Sequence, residues 1–334
     1  MKVTIYDVAA KAGVSIATVS KVINNTGKMR DVTRHKVLEV MKELNYHPSV
    51  MASALMGKAT ETLGLLVPDI SNPFFSEIAR TIEDRAHEQG MSVIMCSTDE
   101  NEVKERKYLE LLQRKQVDGL IVASSFNDRN ILKQLVKNDV PLVMLTQHDA
   151  ALGVTSVSVD DFTGGFEATS HLFSLGHKNV IIIAENTPSS KMRLYGYREA
   201  HEAHDMVFSE DNIIRTNASV ANGKKCFDEI LKREQQTTAI FACNDLLAIG
   251  VLQGAKEKGI SVPDRLSLVG FDDTILAKTT APALTTIAQP IEDMGNRVVD
   301  VIIETIKGKI SSKERILYKP KLIVRETTGK VIDS

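Results

Sequence analysis

The sequence has 334 residues, of which 43% are hydrophobic, with 41 Lys and Arg against 43 Asp and Glu. This length and composition are typical of a globular protein of two or three domains with a sizeable core. No segment approaches the ~18 consecutive apolar residues of a membrane-spanning helix, and the N-terminus lacks the apolar region of a signal peptide, so we exclude a membrane or secreted protein and expect a cytoplasmic one.

The first 46 residues predict three short helices. Thr4 is a good N-cap for the first helix, and Gly13 ends it because glycine adopts left-handed backbone angles at little cost. Ser15 is the N-cap of the second helix, and the third spans 32–44. Apolar residues follow helical spacing in all three, namely Val8, Ala9, Val19, Val22, Ile23, Val37, Leu38, Val40, Met41 and Leu44. This layout is typical of a helix-turn-helix, whose second helix enters the major groove of DNA, although a generic small helical domain gives the same pattern.

The charge of the chain is unevenly distributed. Residues 1–58 hold nine Lys and Arg and four Asp and Glu, a net charge of +5, which leaves −7 on the remainder of a chain whose total is −2. A basic N-terminal segment on an otherwise acidic chain indicates that this segment meets a polyanion such as nucleic acid.

Residues 47–59 form the next segment, in which 49–57 has the pattern of one helix of about two turns. Ser49 can cap this helix and Gly57 can end it, but a helix so short is unstable alone in water. Two interpretations stay open. The segment is a linker with a transient helix, or it is a hinge helix that folds on DNA, pairs with its copy in a dimer, and inserts Leu55 into the minor groove.

From Glu61 onward, strand-like segments alternate with helical ones, which predicts βαβ units and parallel sheets. The predicted strands are 63–67, 92–96, 119–123, 142–145, 157–159, 180–183, 213–214, 239–242, 266–269 and 285–287, with a closing strand pair over 316–324. They amount to two doubly wound sheets, whose ligands bind beyond the carboxyl ends of the strands. The candidate ligand loops, in a cleft between two domains, are therefore 69–75, 146–148, 186–193, 244–245 and 271–273.

The three cysteines lie far apart in strand-like segments, which predicts buried free thiols in a reducing compartment. They are Cys96, Cys226 and Cys243.

Short motifs run the length of the chain, among them Thr4-Ile-Tyr-Asp-Val-Ala, Gly13-Val-Ser, Pro68-Asp-Ile-Ser-Asn-Pro-Phe-Phe75, Leu175-Gly-His177, Asn244-Asp245 and Val269-Gly-Phe-Asp-Asp273. With these motifs the sequence closely resembles the LacI/GalR family of bacterial transcription regulators. The resemblance implies a small all-α helix-turn-helix head plus an α/β body of two doubly wound parallel-sheet lobes, of the periplasmic-binding-protein type. It implies a head over 1–46, a hinge over 47–59 and a core over 60–334. Within that core, lobe 1 takes about 60–160 and 290–318, and lobe 2 about 161–289 and 319–330.

The resemblance also implies partners. They are a roughly palindromic operator in double-stranded DNA, a second copy of the chain, and a small-molecule effector, a sugar or related metabolite, that changes the affinity for DNA. A homodimer is expected rather than a tetramer, because no heptad zipper follows Val331. A repressor is expected first, with no cofactor, while the operator, the effector and the sign of its effect stay open.

The family's DNA-binding positions fall on the head and hinge. Base contacts are expected from Ile16, Ala17 and Lys21, of which the two apolar residues can contact thymine methyl groups and the lysine can reach guanine. Phosphate or sugar contacts are expected from Thr4, Tyr6, Ser15, Thr18, Ser20, Asn24 and Thr33. Ser15 has pure capping as its alternative. The hinge keeps Ala52 and Leu55, but Ser49 and Ser53 replace the polar residues that are usual in the family.

The family's effector positions fall on Arg193, Asn244 and Asp272, whose side chains suit a polyol. Asn72, Phe74 and Thr146 complete the predicted set, and Phe75 and Phe271 can also offer apolar faces or pack in the core. Thr146 stands where a sugar-binding member often has Asp. A sugar, a purine, a phosphorylated metabolite and no ligand therefore all stay open.

A phosphocarrier corepressor is a further option in one branch of the family. The helix over 291–306 carries Asp300 and Glu304 at the docking positions, and we expect these carboxylates to repel a phosphoprotein.

An enzyme and a solute-binding protein for transport are the competing hypotheses. The sequence has no Walker loop, no nucleophile elbow and no Gly-x-Gly-x-x-Gly after a strand, which argues against an enzyme. His201 and His204 are spaced to hold a metal ion, but we expect an exposed polar face there. The basic head and the missing signal peptide argue against transport.

Overall fold

The computed structural model describes residues 3–23, 26–46, 59–126, 128–233, 237–309 and 313–331. The chain divides into two units, one made of Met1–Thr60 with Arg114–Gln116 and the other of Glu61–Gln113 with Val117–Ser334. The predicted hinge positions Ala52 and Leu55, and the predicted contact Asn24, lie outside the described residues.

The described part of the first unit contains three helices, α1 Ile5–Ala12, α2 Ile16–Ile23 and α3 Asp31–Glu43. Thr4 is the N-cap residue of α1, and its Oγ1 and backbone N both donate to Asp7 Oδ2, at 2.7 and 2.8 Å, which lowers the pKa of Asp7. Gly13 ends α1 at φ 64°, in the left-handed region that favours glycine. Ser15 Oγ accepts from Thr18 N at 3.1 Å and caps α2. The predicted caps are confirmed.

The core of this unit forms where the apolar faces of the three helices meet. Its buried side chains are Val8, Ala9, Ala12, Val19, Val22, Val37 and Val40, and Ile23, Met41 and Leu44 pack against them. The prediction that Leu38 joins this core is wrong, because Leu38 is 45% exposed. Positions 37, 40, 41 and 44 share one helix face, and position 38 lies about 100° round the axis from 37.

Strands in the second unit match the predicted positions closely. They are β1 Thr62–Val67, β2 Ser92–Ser97, β3 Gly119–Val122, β4 Leu142–Leu145, β5 Ser156–Val159, β6 Val180–Ala184, β7 Ile213–Arg215, β8 Ala239–Ala242, β9 Ser267–Asp272, β10 Thr285–Ala288, β11 Arg315–Tyr318 and β12 Lys321–Ile323. They form two six-stranded sheets, which define the two lobes. Lobe 1 has the order β11-β5-β4-β3-β1-β2 with every pair parallel, and lobe 2 has the order β12-β10-β9-β8-β6-β7, with β12 antiparallel to β10.

The last two strands correct the sequence prediction. The predicted strand pair over 316–324 does not form, since β11 pairs with β5 in lobe 1 and β12 pairs with β10 in lobe 2. The chain between them crosses from one lobe to the other, as it also does between β5 and β6 and between β10 and β11. Each lobe is therefore completed by a strand that comes from the C-terminal end of the chain.

Helices cover the sheets at the positions that periodicity predicts. They are α4 Pro73–Glu88, α5 Glu102–Arg114, α6 Arg129–Lys137, α7 Asp161–Ser174, α8 Pro188–Ala203, α9 Val220–Ile230, α10 Asp245–Glu257, α11 Ile275–Thr279 and α12 Ile291–Ile306. The five-residue α11 was not predicted, because so short a helix leaves no periodic signal. Strand β9 also runs on to Asp272, so the predicted loop 271–273 is strand over its first two residues.

Apolar side chains are buried on both faces of each sheet, as a parallel sheet covered by helices requires. Cys96, Cys226 and Cys243 are buried free thiols, as predicted, but the placement of Cys226 in a strand-like segment is wrong, because it lies in α9. In the part of the chain that the structure describes, none of the helices combines the length and the apolar character needed to cross a membrane.

Candidate functional site

The predicted DNA-reading residues lie on the surface of the first unit. Tyr6 is 67% exposed and Ile16 is 40% exposed, and Ala17 and Lys21 are also exposed on α2. Ile16 and Lys21 lie five positions apart on α2, and Val19 and Val22 hold the opposite face of the helix in the core. The helix can therefore present its outer face to a groove without losing its packing.

The predicted phosphate contacts surround that face with hydroxyl groups. Thr4 and Ser15 are exposed, and Thr18, Ser20 and Thr33 are half-buried. Both donors of Thr4 are bonded to Asp7, so a phosphate contact there requires the exchange of one of these bonds. Ser15 Oγ lies 2.9 Å from Thr18 Oγ1 and already accepts from the Thr18 amide, which makes capping its role in this structure.

A cleft of about 510 Å³ lies at the carboxyl ends of the strands of both lobes. All six predicted effector residues line it, namely Asn72, Phe74, Thr146, Arg193, Asn244 and Asp272. The first three belong to lobe 1 and the last three to lobe 2. Sequence positions up to 200 residues apart thus meet in one cavity, as the rule for open parallel sheets predicts.

Arg193 is the buried cation of the cleft. It is 5% exposed, and its Nε donates to Asp161 Oδ1 at 2.8 Å while its Nη1 donates to the Cys243 carbonyl. Its guanidinium carbon lies 3.5 Å from the centre of the Phe271 ring. Burial raises the pKa of Asp161 and Arg193 opposes this rise, so the two groups neutralise each other in a site that excludes water.

Close packing of α7 against α8 holds Arg193 in place. A Cβ atom on Gly165 of α7 would lie 2.1 Å from the Arg193 carbonyl oxygen. A Cβ atom on Gly196 of α8 would lie 2.0 Å from the Phe162 carbonyl oxygen. The two glycines therefore let the backbones of α7 and α8 touch, which brings Asp161 at the start of α7 within reach of Arg193.

Asp272 ends β9 on the floor of the cleft. It is 5% exposed, and its Oδ1 accepts from Gln289 Nε2 at 2.7 Å. Burial raises the pKa of Asp272 well above its ordinary value, while Arg193 acts in the opposite direction. Its backbone has φ 117°, a conformation rare for a residue with a side chain, and strain of this kind clusters at functional sites.

Asn244 is the N-cap of α10 and is already committed to two partners. Its Oδ1 accepts from Leu247 N at 2.9 Å, and its Nδ2 donates to Glu185 Oε2 at 2.7 Å. Burial raises the pKa of Glu185, against the opposing effects of Arg193 and the Asn244 bond. Asn244 thus positions Glu185 at the cleft and keeps one amide hydrogen for a ligand.

Lobe 1 lines the cleft with apolar rings, neutral polar groups and three exposed carboxylates. Asn72 caps α4 through a bond from Phe74 N at 3.1 Å, and the rings of Phe74 and Phe75 meet edge to face with centres 5.0 Å apart. Thr146 sits at φ 66°, and its Oγ1 lies 3.5 Å from the Ala123 carbonyl oxygen. Gln147, its neighbour, accepts from Ser125 Oγ at 3.2 Å.

The N-terminal and C-terminal parts of the chain match two family models. Residues 4–49 match the model described as bacterial regulatory proteins, lacI family, and residues 169–328 match a periplasmic binding protein-like domain. The HTH-type transcriptional regulator DegA of Bacillus subtilis (strain 168) is 46% identical over 334 residues, which cover 98% of this chain and 99% of DegA. The chain belongs to the LacI family.

Two solved structures of similar proteins cover 98% of this LacI-family regulator and 100% of their own chains. A lac repressor dimer bound to operator and the anti-inducer ONPF has a TM-score of 0.86 at 28% identity. A complex of the transcriptional regulator CelR with cellobiose has a TM-score of 0.75 at 28% identity. The LacI-family fold predicted from the motifs is confirmed, and the protein is a transcriptional regulator rather than an enzyme.

Sequence reasoning missed several residues of the regulator's cleft, of which Asp161, Glu185 and Gln289 are the clearest. Glu185 directly follows β6 and Asp161 comes two residues after β5, so both stand where strand ends predict ligand groups. The positions of Glu185 and Asp161 at the cleft could therefore be predicted from the strand ends. The ion pair between Asp161 and Arg193 could not, because it joins residues 32 positions apart and no local sequence pattern indicates it.

The structure pairs both carboxylates at the expected phosphocarrier docking positions of this regulator with arginines. Asp300 pairs with Arg85 at 2.8 Å, and Glu304 pairs with Arg297 at 3.7 Å. Arg85 also pairs with Glu88 at 2.9 Å. The carboxylates at the docking positions are therefore paired within the chain, and the expectation that a phosphocarrier does not dock there stays a prediction.

The expectation of an exposed face at His201 is wrong. His201 is 1% exposed, and its ring packs against Phe173, Tyr197 and Phe208 with centres 4.8, 4.3 and 5.7 Å away. Its Nδ1 donates to the Tyr197 carbonyl at 2.8 Å. Among the described residues, no group of three or more His, Cys, Asp and Glu side chains is arranged to hold a metal ion.

Proposed function

We propose that this LacI-family regulator binds a pseudo-palindromic operator as a homodimer and that a small molecule in the cleft changes its affinity for DNA. Residues 1–46 read the DNA, 47–59 form the hinge, and 60–334 form the two-lobed core. We further propose that it acts as a repressor in the cytoplasm. The observation that carries the proposal is the joining, in one chain, of a basic helix-turn-helix to a cleft lined by both lobes.

The effector is proposed to act by a population shift. A ligand that contacts both lobes can bind one relative arrangement of the lobes more tightly than another. It then shifts the population toward the tighter-binding arrangement, by an amount set by the difference between the two affinities. The hinge helices of two copies meet over DNA in only some of these arrangements, so the ligand alters operator affinity. The cellobiose bound in the similar protein CelR supports a ligand of sugar size.

The DNA-binding half of the proposal is tested by operator selection followed by fluorescence anisotropy. The selected sequences should be pseudo-palindromic. The logarithm of the binding constant should fall steeply and linearly with the logarithm of the salt concentration, because Lys and Arg that bind phosphates release counterions from DNA. Lys21→Ala should lower the affinity for the selected operator by about tenfold and relax its sequence preference. Lys133→Ala, an exposed lysine of the second unit, is the matched control and should change neither. Absence of binding at low salt would contradict the proposal.

The hinge is tested separately by Leu55→Ala. If Leu55 enters the minor groove, this change should reduce the DNA bending measured by fluorescence transfer between labelled duplex ends, and it should weaken specific binding. Unchanged bending would exclude the wedge and favour a plain linker.

A further inference from the structure

The cleft has a strongly negative lining. Six carboxylate side chains line it, those of Asp69, Asp99, Glu100, Asp161, Glu185 and Asp272. Arg193, paired with Asp161, is the one Lys or Arg among the described lining residues, and Lys104 pairs with Asp99 from outside the lining, so the carboxylates still outnumber the cations. A cleft with one excess sign of charge concentrates ligands of the opposite sign, and its low-dielectric walls strengthen the effect.

Arg193 is already engaged by groups of the protein. Its Nε is bonded to Asp161, its Nη1 to the Cys243 carbonyl, and one face of its guanidinium lies on Phe271. These two bonds use two of the five N–H groups of the guanidinium, and a ligand that took the Nε donor would have to displace Asp161, which is 7% exposed. That exchange would leave a carboxylate buried without its partner, which is costly.

Asp272 and Glu185 form the acceptor end of the cleft. Within the described chain, Oδ1 of Asp272 accepts a hydrogen bond from the neutral amide of Gln289. Oδ2 of Asp272 receives no hydrogen bond there, although the Asp272 side chain is more than nine-tenths buried. Glu185 is held by the neutral amide of Asn244. Burial raises the pKa of both carboxyls, and the charge of Glu185 raises the pKa of Asp272 further.

A protonated amine supplies what this end of the cleft lacks. It brings a positive charge and three donors, and a charge-assisted bond to a carboxylate is about twice as strong as a neutral one. The remaining wall offers the Phe74 and Phe75 rings and the Gln147 and Asn244 amides, which suit the apolar face and the hydroxyl groups of a sugar ring.

We infer that the effector is an amine-bearing polyhydroxyl compound of amino-sugar type, whose ammonium group binds Asp272 and Glu185. This inference rests on the proposed role of the cleft as the effector site. It assigns Asp272 and Glu185 as the residues that determine specificity, and it excludes phosphorylated and other anionic metabolites.

The inference is tested on the full chain with matched sets of sugars. Each set contains the 2-amino sugar, the parent sugar and the 6-phosphate, in the glucose, galactose and mannose series, and binding is measured by thermal shift and then by calorimetry. The amino sugar of the matching series should bind at least about tenfold more tightly than its parent, since the parent leaves Asp272 Oδ2 without a donor. The phosphate should bind more weakly than both.

Variants assign the preference to the two carboxyls. Glu185→Gln and Asp272→Asn each keep an oxygen that can accept from the neighbouring amide but remove the charge, so the amine preference should fall below about threefold. Glu257→Gln, an exposed carboxylate paired with Lys224 on a distant helix, should keep it. Glu185→Gln remains informative if Asp272→Asn fails to fold.

The outcomes separate the two proposals. Equal or tighter binding of the parent sugar or the phosphate, or an amine preference that survives both variants, would overturn the inference while leaving the effector cleft in place. If no sugar of any set binds to the full chain, the cleft is not a site for this class of effector, and both the inference and the sugar-sized effector of the proposed function fail.

Discussion

Lobe 1 and lobe 2 share one strand order and differ in what they bring to the cleft. Each sheet places the last strand at one edge and the second strand at the other. Lobe 2 supplies the buried charges Asp161, Arg193 and Asp272, whereas lobe 1 supplies phenylalanine rings, amides, a threonine and exposed carboxylates. The same scaffold therefore presents two kinds of wall, because only the residues that follow the strands differ.

The largest expected effect comes from Arg193→Ala. Removal of the guanidinium leaves Asp161 buried without a cation, which should lower the free energy of unfolding by about 3–5 kcal/mol, measured by urea unfolding. The double variant Arg193→Met with Asp161→Asn should recover most of the loss, because neither charge remains. In lobe 1, Lys104→Ala removes the exposed partner of Asp99 and should leave the unfolding midpoint almost unchanged. Equal losses of unfolding free energy in Arg193→Ala and Lys104→Ala would contradict this difference between the lobes.

Gly196→Ala should have the next largest effect. Its Cβ would lie 2.0 Å from a backbone oxygen that cannot move without separating α7 from α8, so we expect a loss of about 2–3 kcal/mol. The matched change in lobe 1 is Gly295→Ala, whose Cβ would lie 2.7 Å from the methyl and 2.8 Å from the Cβ of Thr81, which are side-chain atoms, while the nearest backbone oxygen is 3.5 Å away. Thermal unfolding of both variants measures the difference. A greater loss for Gly295→Ala would contradict this account of lobe 2.

Acid should destabilise lobe 2 through His201. Burial lowers the pKa of His201, so the folded state binds its proton less readily than the unfolded chain does. Its stabilising contribution is therefore present above pH 6.5 and is lost as the pH falls, with a slope of up to about 1.4 kcal/mol per pH unit. No described residue accepts a bond from Nε2, so a proton there would be unpaired.

The measurement compares the wild type with His201→Phe between pH 7.5 and 5.5. Burial raises the pKa of Asp245 to about 6, so protonation of Asp245 increases the free energy of unfolding as the pH falls, opposite to the effect of His201. Both proteins contain Asp245, so the difference between their free energies of unfolding removes this contribution. The free energy of unfolding of the wild type should drop relative to the variant as the solution is acidified. A constant difference would show that His201 does not titrate in this range.

The smallest expected effect concerns the contact between the lobes. Glu77 of α4 accepts from the Ile275 amide at the start of α11 at 2.9 Å. Glu77→Ala should speed hydrogen exchange at Ile275 by several-fold and change the free energy of unfolding by less than about 0.5 kcal/mol, since the site is exposed. Glu83→Ala, on the same helix and paired with Arg80, should leave that amide unchanged. Unaltered exchange in Glu77→Ala would mean that the lobes are not joined there.

Local signals accounted for most of the fold. Capping by Thr4 and Ser15, the turn at Gly13 and the strand ends were predictable because each depends on residues within a few positions. Errors arose where local patterns were silent or ambiguous. Leu38 lies next to a core position but on another helix face, and α11 is too short to show a period. Strands β11 and β12 pair with partners far along the chain, so their proximity in sequence was misleading.

The cleft was predictable in part for the same reason. Asn244 caps a helix and Asp272 ends a strand, whereas Arg193 lies inside α8, and all three line the cavity as the family resemblance implied. What the sequence could not show is how they are used, since the bonds from Arg193 to Asp161 and from Asn244 to Glu185 depend on three-dimensional packing. These bonds decide which groups remain for a ligand.

The three chain crossings between the lobes bear on how the protein survives damage. A protease that nicked one of these connections would leave the lobes tied by the other two, so the fragments would migrate together on a sizing column and separate only in denaturant. For the same reason neither lobe can be expressed from one continuous stretch of the gene. A truncation after residue 160 would deprive lobe 1 of β11, which arrives more than 150 residues later.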